Sequence, residues 1–118
     1  MKYKRSERVS ALILRELADM VERGLRDPDI GFVTLTRVEV SDDLRIAKVY
    51  VVARGEEAEK KKTLQALERA VPHFRRELGS NLDLKYVPEL RVFPDSSFDH
   101  ADEVQRLLDR IHREEGEG

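Results

Sequence analysis

The sequence predicts a small α+β domain in which a three-stranded sheet carries helices on one face. Two observations support this fold class. Apolar residues recur every three or four positions in long stretches, as in helices that bury one side, and short stretches rich in β-branched residues lie between them. Three strands are too few to close a barrel, so helices must cover the sheet. The 118 residues suffice for one domain with one core.

The first helix is predicted from an apolar stripe close to the N-terminus. Its residues follow steps of one, three and four and are Val9, Leu12, Ile13, Leu17, Met20, Val21 and Leu25. We expect the helix to end at Asp27–Gly31, because Pro28 disfavours helical dihedrals at the residue before it and the glycine suits a turn.

Two strands are expected next, joined by a short polar turn as a hairpin. The first has the sequence FVTLTRVEV, and its alternation is imperfect. Val33 and Leu35 share one face, whereas Val38 and Val40 fall on the other, which predicts a bulge near Arg37. The second strand, RIAKVYVVA, alternates regularly and therefore has one face to bury.

A helical stretch with the sequence LQALERAVPHFRREL follows, and its apolar stripe continues through Pro72. A proline has no N–H to donate, and its ring strikes the carbonyl group four residues earlier. We therefore predict a break, with a second helix that begins with Pro72 at its first position, where the missing N–H costs nothing. Both helices should pack on the same sheet, because the stripe is continuous.

A third strand and a last helix complete the domain. The strand, LKYVPELRVFPD, contains Pro88, which suits an edge strand or the start of a strand. Ser96 and Ser97 offer an N-cap for the helix. The apolar stripe of this helix consists of Ala101, Val104, Leu107, Leu108 and Ile111. We expect a single domain over residues 1–114 and a frayed tail over residues 115–118.

The sequence carries no signature of an enzyme, a metal or a cofactor. It has no cysteine, and its three histidines are far apart and form no His-x-x-x-His pair. The glycine-rich phosphate loops and the Gly-x-Ser-x-Gly elbow of hydrolases are absent. One cluster could suggest acid–base chemistry, but acidic residues also gather at helix starts, where the helix dipole favours them, and we prefer that interpretation. The cluster consists of Asp95, Asp99, His100, Asp102 and Glu103.

No apolar stretch approaches the length of a membrane span, and the N-terminus lacks the apolar core of a signal peptide. A cytoplasmic protein without a membrane partner is therefore expected.

The distribution of charge is the best indication of a partner. The net charge is only −2, so a basic surface must arise from local segregation. Basic residues gather at the N-terminus and around the predicted helix break, whereas acidic residues gather at the C-terminus. The candidate phosphate contacts are Arg5, Arg8, Lys60, Lys61, Lys62, Arg69, His73, Arg75 and Arg76. On charge alone, the solvated face of a charge-rich protein explains these residues nearly as well.

Base stacking is expected to contribute little beside phosphate contacts, because aromatic residues are few. Phe32, Phe74 and Phe93 are expected in the core.

Several stretches together resemble the ribosome-binding factor A family. They are RDPDIGFVTLTRVEVSDDLRIAKVYV from Arg26 to Val51, LERAVPHFRRELG, and LDLKYVPELRVFPDSSFD from Leu82 to Asp99. The resemblance covers most of residues 8–111. It implies a KH-like fold of type II connectivity with a helix–kink–helix in the middle. It also implies a monomeric, non-catalytic factor that binds the free small (30S) ribosomal subunit and its 16S rRNA during late maturation and rRNA processing, is linked to cold adaptation and acts beside other assembly factors.

One position departs from the family pattern. Family members carry Ala-x-Gly at the kink, whereas this chain has Ala70, Val71 and Pro72, so a stiff residue replaces a permissive one. An alternative function stays open, in which the chain is a protein-interaction module that uses its sheet edge or its acidic last helix.

Overall fold

The computed structural model describes the backbone of residues 4–116 and the side chains in that range except those of residues 98–104 and 115–116. The elements are, in chain order, α1 (Arg5–Glu22), β1 (Val33–Val40), β2 (Ile46–Ala53), α2 (Glu57–Asn81), β3 (Glu89–Pro94) and α3 (Ser97–Gly116). This arrangement confirms the predicted α+β class. The tail expected over residues 115–118 extends beyond the described residues.

The three strands form one sheet in the order β1-β2-β3, with β1 antiparallel and β3 parallel to the central β2. The parallel pairing requires α2 to connect β2 to β3 across one face of the sheet. The pairing of β1 with β2 shifts between Leu35 and Arg37, where Thr36 is the extra residue. The predicted bulge is thereby confirmed. It explains why the apolar residues of β1 are the odd-numbered Val33 and Leu35 before the bulge and the even-numbered Val38 and Val40 after it.

Helix α1 packs most of its apolar stripe against the sheet, chiefly on the side of β1. Leu12 is 46% exposed, and the helix ends at Glu22, earlier than the expected Asp27–Gly31, so that Leu25 lies beyond it. Val9, Ile13, Leu17 and Met20 are buried one helical turn apart, as the sequence predicts. The chain leaves the helix at Gly24, whose φ of 94° lies in the left-handed region that favours glycine.

Helix α2 begins with a capping box, in which the side chains of Glu56 and Glu59 accept hydrogen bonds from each other's backbone. Its sheet-facing side chains are buried both before and after the proline, as at Leu67, Phe74 and Leu78. Because these contacts hold both halves against the same sheet, one helix continues through Pro72.

The prediction that a second helix begins at Pro72 is therefore wrong. Ala70, Val71 and Pro72, expected to separate two helices, lie inside one helix. The proline deprives a single carbonyl of its helical hydrogen bond, and its own ring is exposed on the outer side of the helix.

Strand β3 lies at an edge of the sheet, and the buried Pro88 directly precedes it. The edge position is confirmed, but the strand starts only after Pro88, and the expected strand residues before the proline, 84–87, lie outside it. Helix α3 begins at Ser97, whose N–H donates to the carboxylate of Asp95 at 3.1 Å. Leu107, Leu108 and Ile111 of α3 are about half exposed, at 45–56%. The described helices include none that is long and apolar enough to cross a membrane.

Candidate RNA-binding surface

The first group of candidate residues lies on the first turn of α1. Arg5 and Arg8 are exposed and three residues apart, so they share one side of the helix. Neither guanidinium has an ion-pair partner within the described part of the chain. Their charge is available to a ligand.

The second group lies in the first turns of α2. Lys60 is partly buried, and its Nζ lies 3.6 Å from Oε1 of Glu57. Lys61 and Lys62 are exposed and form no ion pair with any described residue. Lys61 and Lys62 are therefore better placed than Lys60 to meet an anion.

Arg69 has internal partners. Its Nη2 lies 3.2 Å from Oδ2 of Asp27 and 3.1 Å from Oδ2 of Asp29. The backbone N–H of Asp29 and the Arg69 guanidinium both hold the pKa of Asp27 below its ordinary value. Arg69 thus links α2 to the loop between α1 and β1, and its charge is largely balanced by two carboxylates.

His73 and Arg76 follow Arg69 on the same side of α2, at steps of four and three residues. His73 is exposed and lines an open groove of about 650 Å³ beside Leu25 and Pro28. Arg76 is exposed and has no ion pair among the described residues. These two residues extend the basic side of α2 beyond the neutralised Arg69.

Arg75 points to another side of the helix. Its Nε and Nη2 donate to the backbone carbonyls of Pro88 and Val87 at 3.1 and 3.0 Å. These bonds hold the segment before β3 against α2. The nine candidates therefore occupy four places in the fold: the start of α1, the start of α2 and two sides of α2 further along. Two of the arginines have structural roles that their sequence positions did not reveal.

The expectation that three phenylalanines lie in the core is wrong for two of them. Phe74 is buried at 5% exposure, but Phe32 is 84% and Phe93 is 37% exposed. Phe93 lies on the open face of the sheet, 5.9 Å from the ring of Tyr50. The alternation of side chains along a strand could have predicted this exposure, because Phe93 directly follows Val92, which faces inward. Tyr86, just before β3, is 72% exposed.

Asp95 forms the best-connected polar cluster in the described structure. Its carboxylate accepts hydrogen bonds of 2.6 Å from the hydroxyl groups of Ser97 and Thr36, and Nε of Arg37 lies 3.8 Å away. The Ser97 hydroxyl first, and the Thr36 hydroxyl next, lower the pKa of Asp95. A carboxyl group held ionised in this way suits a structural anchor, whereas a general acid needs a raised pKa.

The rest of the acidic cluster lies outside the described side chains, since it consists of Asp99, His100, Asp102 and Glu103. No set of three metal-ligating side chains occurs in the part of the chain that is described.

The chain is similar to a known protein family and to several of its members. Residues 5–108 match the family model described as Ribosome-binding factor A. The chain is 44% identical over 113 residues to the Ribosome-binding factor A of Syntrophus aciditrophicus (strain SB), covering 96% of this chain and 92% of that protein.

Solved structures agree with this match. The crystal structure of ribosome-binding factor A from Thermus thermophilus has a TM-score of 0.66 and 29% identity, covering 75% of this chain and 94% of that one. A homology model of the T. thermophilus factor, fitted into a cryo-EM map of a 30S–RbfA complex, has a TM-score of 0.60 and 31% identity, covering 74% and 91%. The KH-like fold of these structures is therefore the fold of this chain.

Proposed function

The chain belongs to the ribosome-binding factor A family, and from this premise we propose that it binds the free 30S subunit through 16S rRNA. In that role it assists late maturation and rRNA processing, acts as a monomer in the cytoplasm and catalyses no reaction. The observation that carries the proposal is the similarity to a T. thermophilus relative that was fitted into the map of a 30S–RbfA complex.

The electrostatics of the surface support an RNA partner. The chain has a net charge of −2 and would be repelled from RNA as a whole. Its contacts must therefore use cations that have no internal partner. Among the nine candidates, the exposed cations without an ion pair in the described structure are Arg5, Arg8, Lys61, Lys62 and Arg76. We propose these residues as the phosphate contacts, with His73 beside Arg76.

Three of the nine candidates are assigned a different part. Arg69 and Arg75 support the surface from within, because each links α2 to a neighbouring loop. Lys60 is partly buried and paired with Glu57. Replacement of Arg69 or Arg75 is therefore expected to change stability as well as affinity, which makes both residues poor probes of RNA contact.

The test is the salt dependence of binding to purified free 30S subunits. Each neutralised phosphate releases counterions, so the logarithm of affinity should fall with the logarithm of salt by roughly 0.7–0.9 per contact. The double variant Arg8→Glu/Arg76→Glu should bind more weakly and with a shallower slope. Arg106→Glu/Arg110→Glu on α3 is the control, because it makes the same total charge change at two exposed residues of the acidic last helix.

An affinity that does not change with salt, or a double variant that binds as tightly as the control, would overturn the proposed contacts.

A protein-interaction role is the second candidate, and one observation favours it. Leu107, Leu108 and Ile111 of α3 are exposed on a helix that could meet another protein through them. Salt-independent binding that is lost in Leu107→Ala/Ile111→Ala would favour this second role.

A further inference from the structure

The loop before β3 presents an aromatic ring to solvent at a fixed place. Tyr86 is 72% exposed, and no described residue forms a hydrogen bond with its hydroxyl group. We infer that Tyr86 is a stacking platform for an unpaired nucleobase of the rRNA. This inference rests on the proposed function and adds a mode of contact that phosphate binding alone does not supply.

The backbone that holds Tyr86 is braced on both sides. Arg75 donates to the carbonyls of the next two residues, Val87 and Pro88. The ring of Pro88 is fully buried, and Leu84 packs against the core two residues before the tyrosine. A ligand that stacks on Tyr86 therefore meets a ring whose backbone is already ordered, and little further entropy is lost on binding.

Cations next to Tyr86 suit a nucleotide. The Nζ of Lys85 lies 5.6 Å from the centre of the Tyr86 ring, and Arg5 of α1 lines the same groove. The groove holds about 340 Å³, which is enough for a base. Lys85 and Arg5 can meet the phosphates on either side of that base.

Acidic residues determine which part of the nucleotide enters the groove. Asp43 and Asp83 also line it, and their charges repel a phosphate. The pKa of Asp43 is lowered, mainly by the hydroxyl of Ser41, so this carboxylate stays ionised. A neutral base is compatible with these carboxylates, and the phosphates remain at the basic rim formed by Lys85 and Arg5.

Phe32 provides a matched comparison. It is even more exposed than Tyr86, at 84%, but no cation of the described chain stacks on its ring. It precedes β1 at the end of the sheet opposite Tyr86, because Val33 pairs with Ala53 whereas Glu89 pairs with Ile46. Exposure of an aromatic ring is thus shared by both sites, whereas Tyr86 also has a lysine over its ring and lines a groove.

The experiment measures binding to purified free 30S subunits at several salt concentrations, for the wild type and four variants. Tyr86→Ala should lose roughly 5-fold to 100-fold in affinity with an unchanged salt slope, because stacking releases no counterions. Tyr86→Phe should bind like the wild type, and Tyr86→Leu should lose affinity, because it is apolar but has no flat ring. Phe32→Ala is the control and should bind normally.

Chemical probing of the bound rRNA should show an unpaired nucleotide that the wild type protects and Tyr86→Ala leaves reactive. Wild-type affinity in Tyr86→Ala would overturn the inference while leaving the proposed function intact. Full binding by Tyr86→Leu would also overturn it, in favour of an apolar contact with a ribosomal protein. If the wild type itself does not bind 30S subunits, the proposed function fails and the inference fails with it.

Discussion

The hydroxyl group of Thr36 donates a hydrogen bond of 2.6 Å to the carboxylate of Asp95, across 59 residues of sequence. The bond joins the bulge of β1 to the segment between β3 and α3. Because Asp95 also accepts from the hydroxyl and the N–H of Ser97, one carboxylate connects the sheet to the first residue of the last helix.

Thr36→Val should destabilise the protein by roughly 1–2 kcal/mol, because it removes a donor to a charged acceptor while nearly preserving the shape of the side chain. Thr36→Ser keeps the hydroxyl group and should lose less. Urea unfolding followed by circular dichroism measures the difference. Equal stability of the valine and serine variants would show that the hydrogen bond does not support the fold.

Stability should decrease in acid in a way that depends on Asp95. Its pKa is lowered in the folded state, so its contribution to the free energy of unfolding is complete above the ordinary value near 3.8 and is lost as the pH falls through the folded value. Unfolding midpoints measured from neutral pH downwards should therefore drop below about pH 4. Asp95→Asn should be less stable at neutral pH and show a weaker drop, with the remainder due to Asp27 and Asp43, whose pKa values are also lowered.

Pro72→Ala should stabilise the protein by about 1–3 kcal/mol, because it restores a helical N–H donor and removes the clash of the ring with the preceding turn. The side chain is exposed, so no core contact is lost. Pro72→Gly restores the same donor but should be about 1 kcal/mol less stable than the alanine variant. A loss of stability in Pro72→Ala would mean that the proline ring itself supports the fold.

The neighbours Arg75 and Arg76 should respond differently to replacement. Arg75→Ala removes two hydrogen bonds to backbone carbonyls and should cost about 1 kcal/mol of stability. Arg76→Ala should change stability by less than about 0.5 kcal/mol and should instead lower the affinity for 30S subunits. Thermal melts and binding assays on the two variants separate these effects. Similar melts for both would contradict the bracing role of Arg75.

Leu78→Ala should be the most destabilising of these changes, by roughly 2–5 kcal/mol, because it leaves a cavity at a side chain with no exposed surface. Leu107→Ala on α3 is the matched control, since the same deletion there affects a side chain that is 56% exposed. Urea titrations of the two variants make the comparison. A comparable loss at both positions would place the α3 leucine in a contact that its exposure does not indicate.

Local sequence patterns predicted most of the fold. The break in the apolar alternation around Arg37 correctly predicted the position of the bulge. Pro88 correctly predicted that the third strand lies at an edge of the sheet. Pro72 misled the prediction, because its local preference was outweighed by buried contacts on both sides of it.

The candidate site was less predictable than the fold. The basic positions were found from charge, but the internal partners of Arg69 lie 40 and 42 residues away in sequence, and a single sequence does not show such pairs. The exposure of Phe32 was missed although strand alternation indicates it, because Phe32 directly precedes Val33, which packs against the core together with Leu35.

The bulge has a consequence for how this strand can change during evolution. If Thr36 were deleted, the apolar residues of β1 would alternate strictly and still face the helices, since the pairs Leu35–Val51 and Arg37–Tyr50 already follow one another. The core therefore does not need the extra codon, and the anchor at Asp95 does. A lineage that lost this codon would keep its sheet and lose one of the two hydroxyl donors that hold the Asp95 carboxylate at the start of α3.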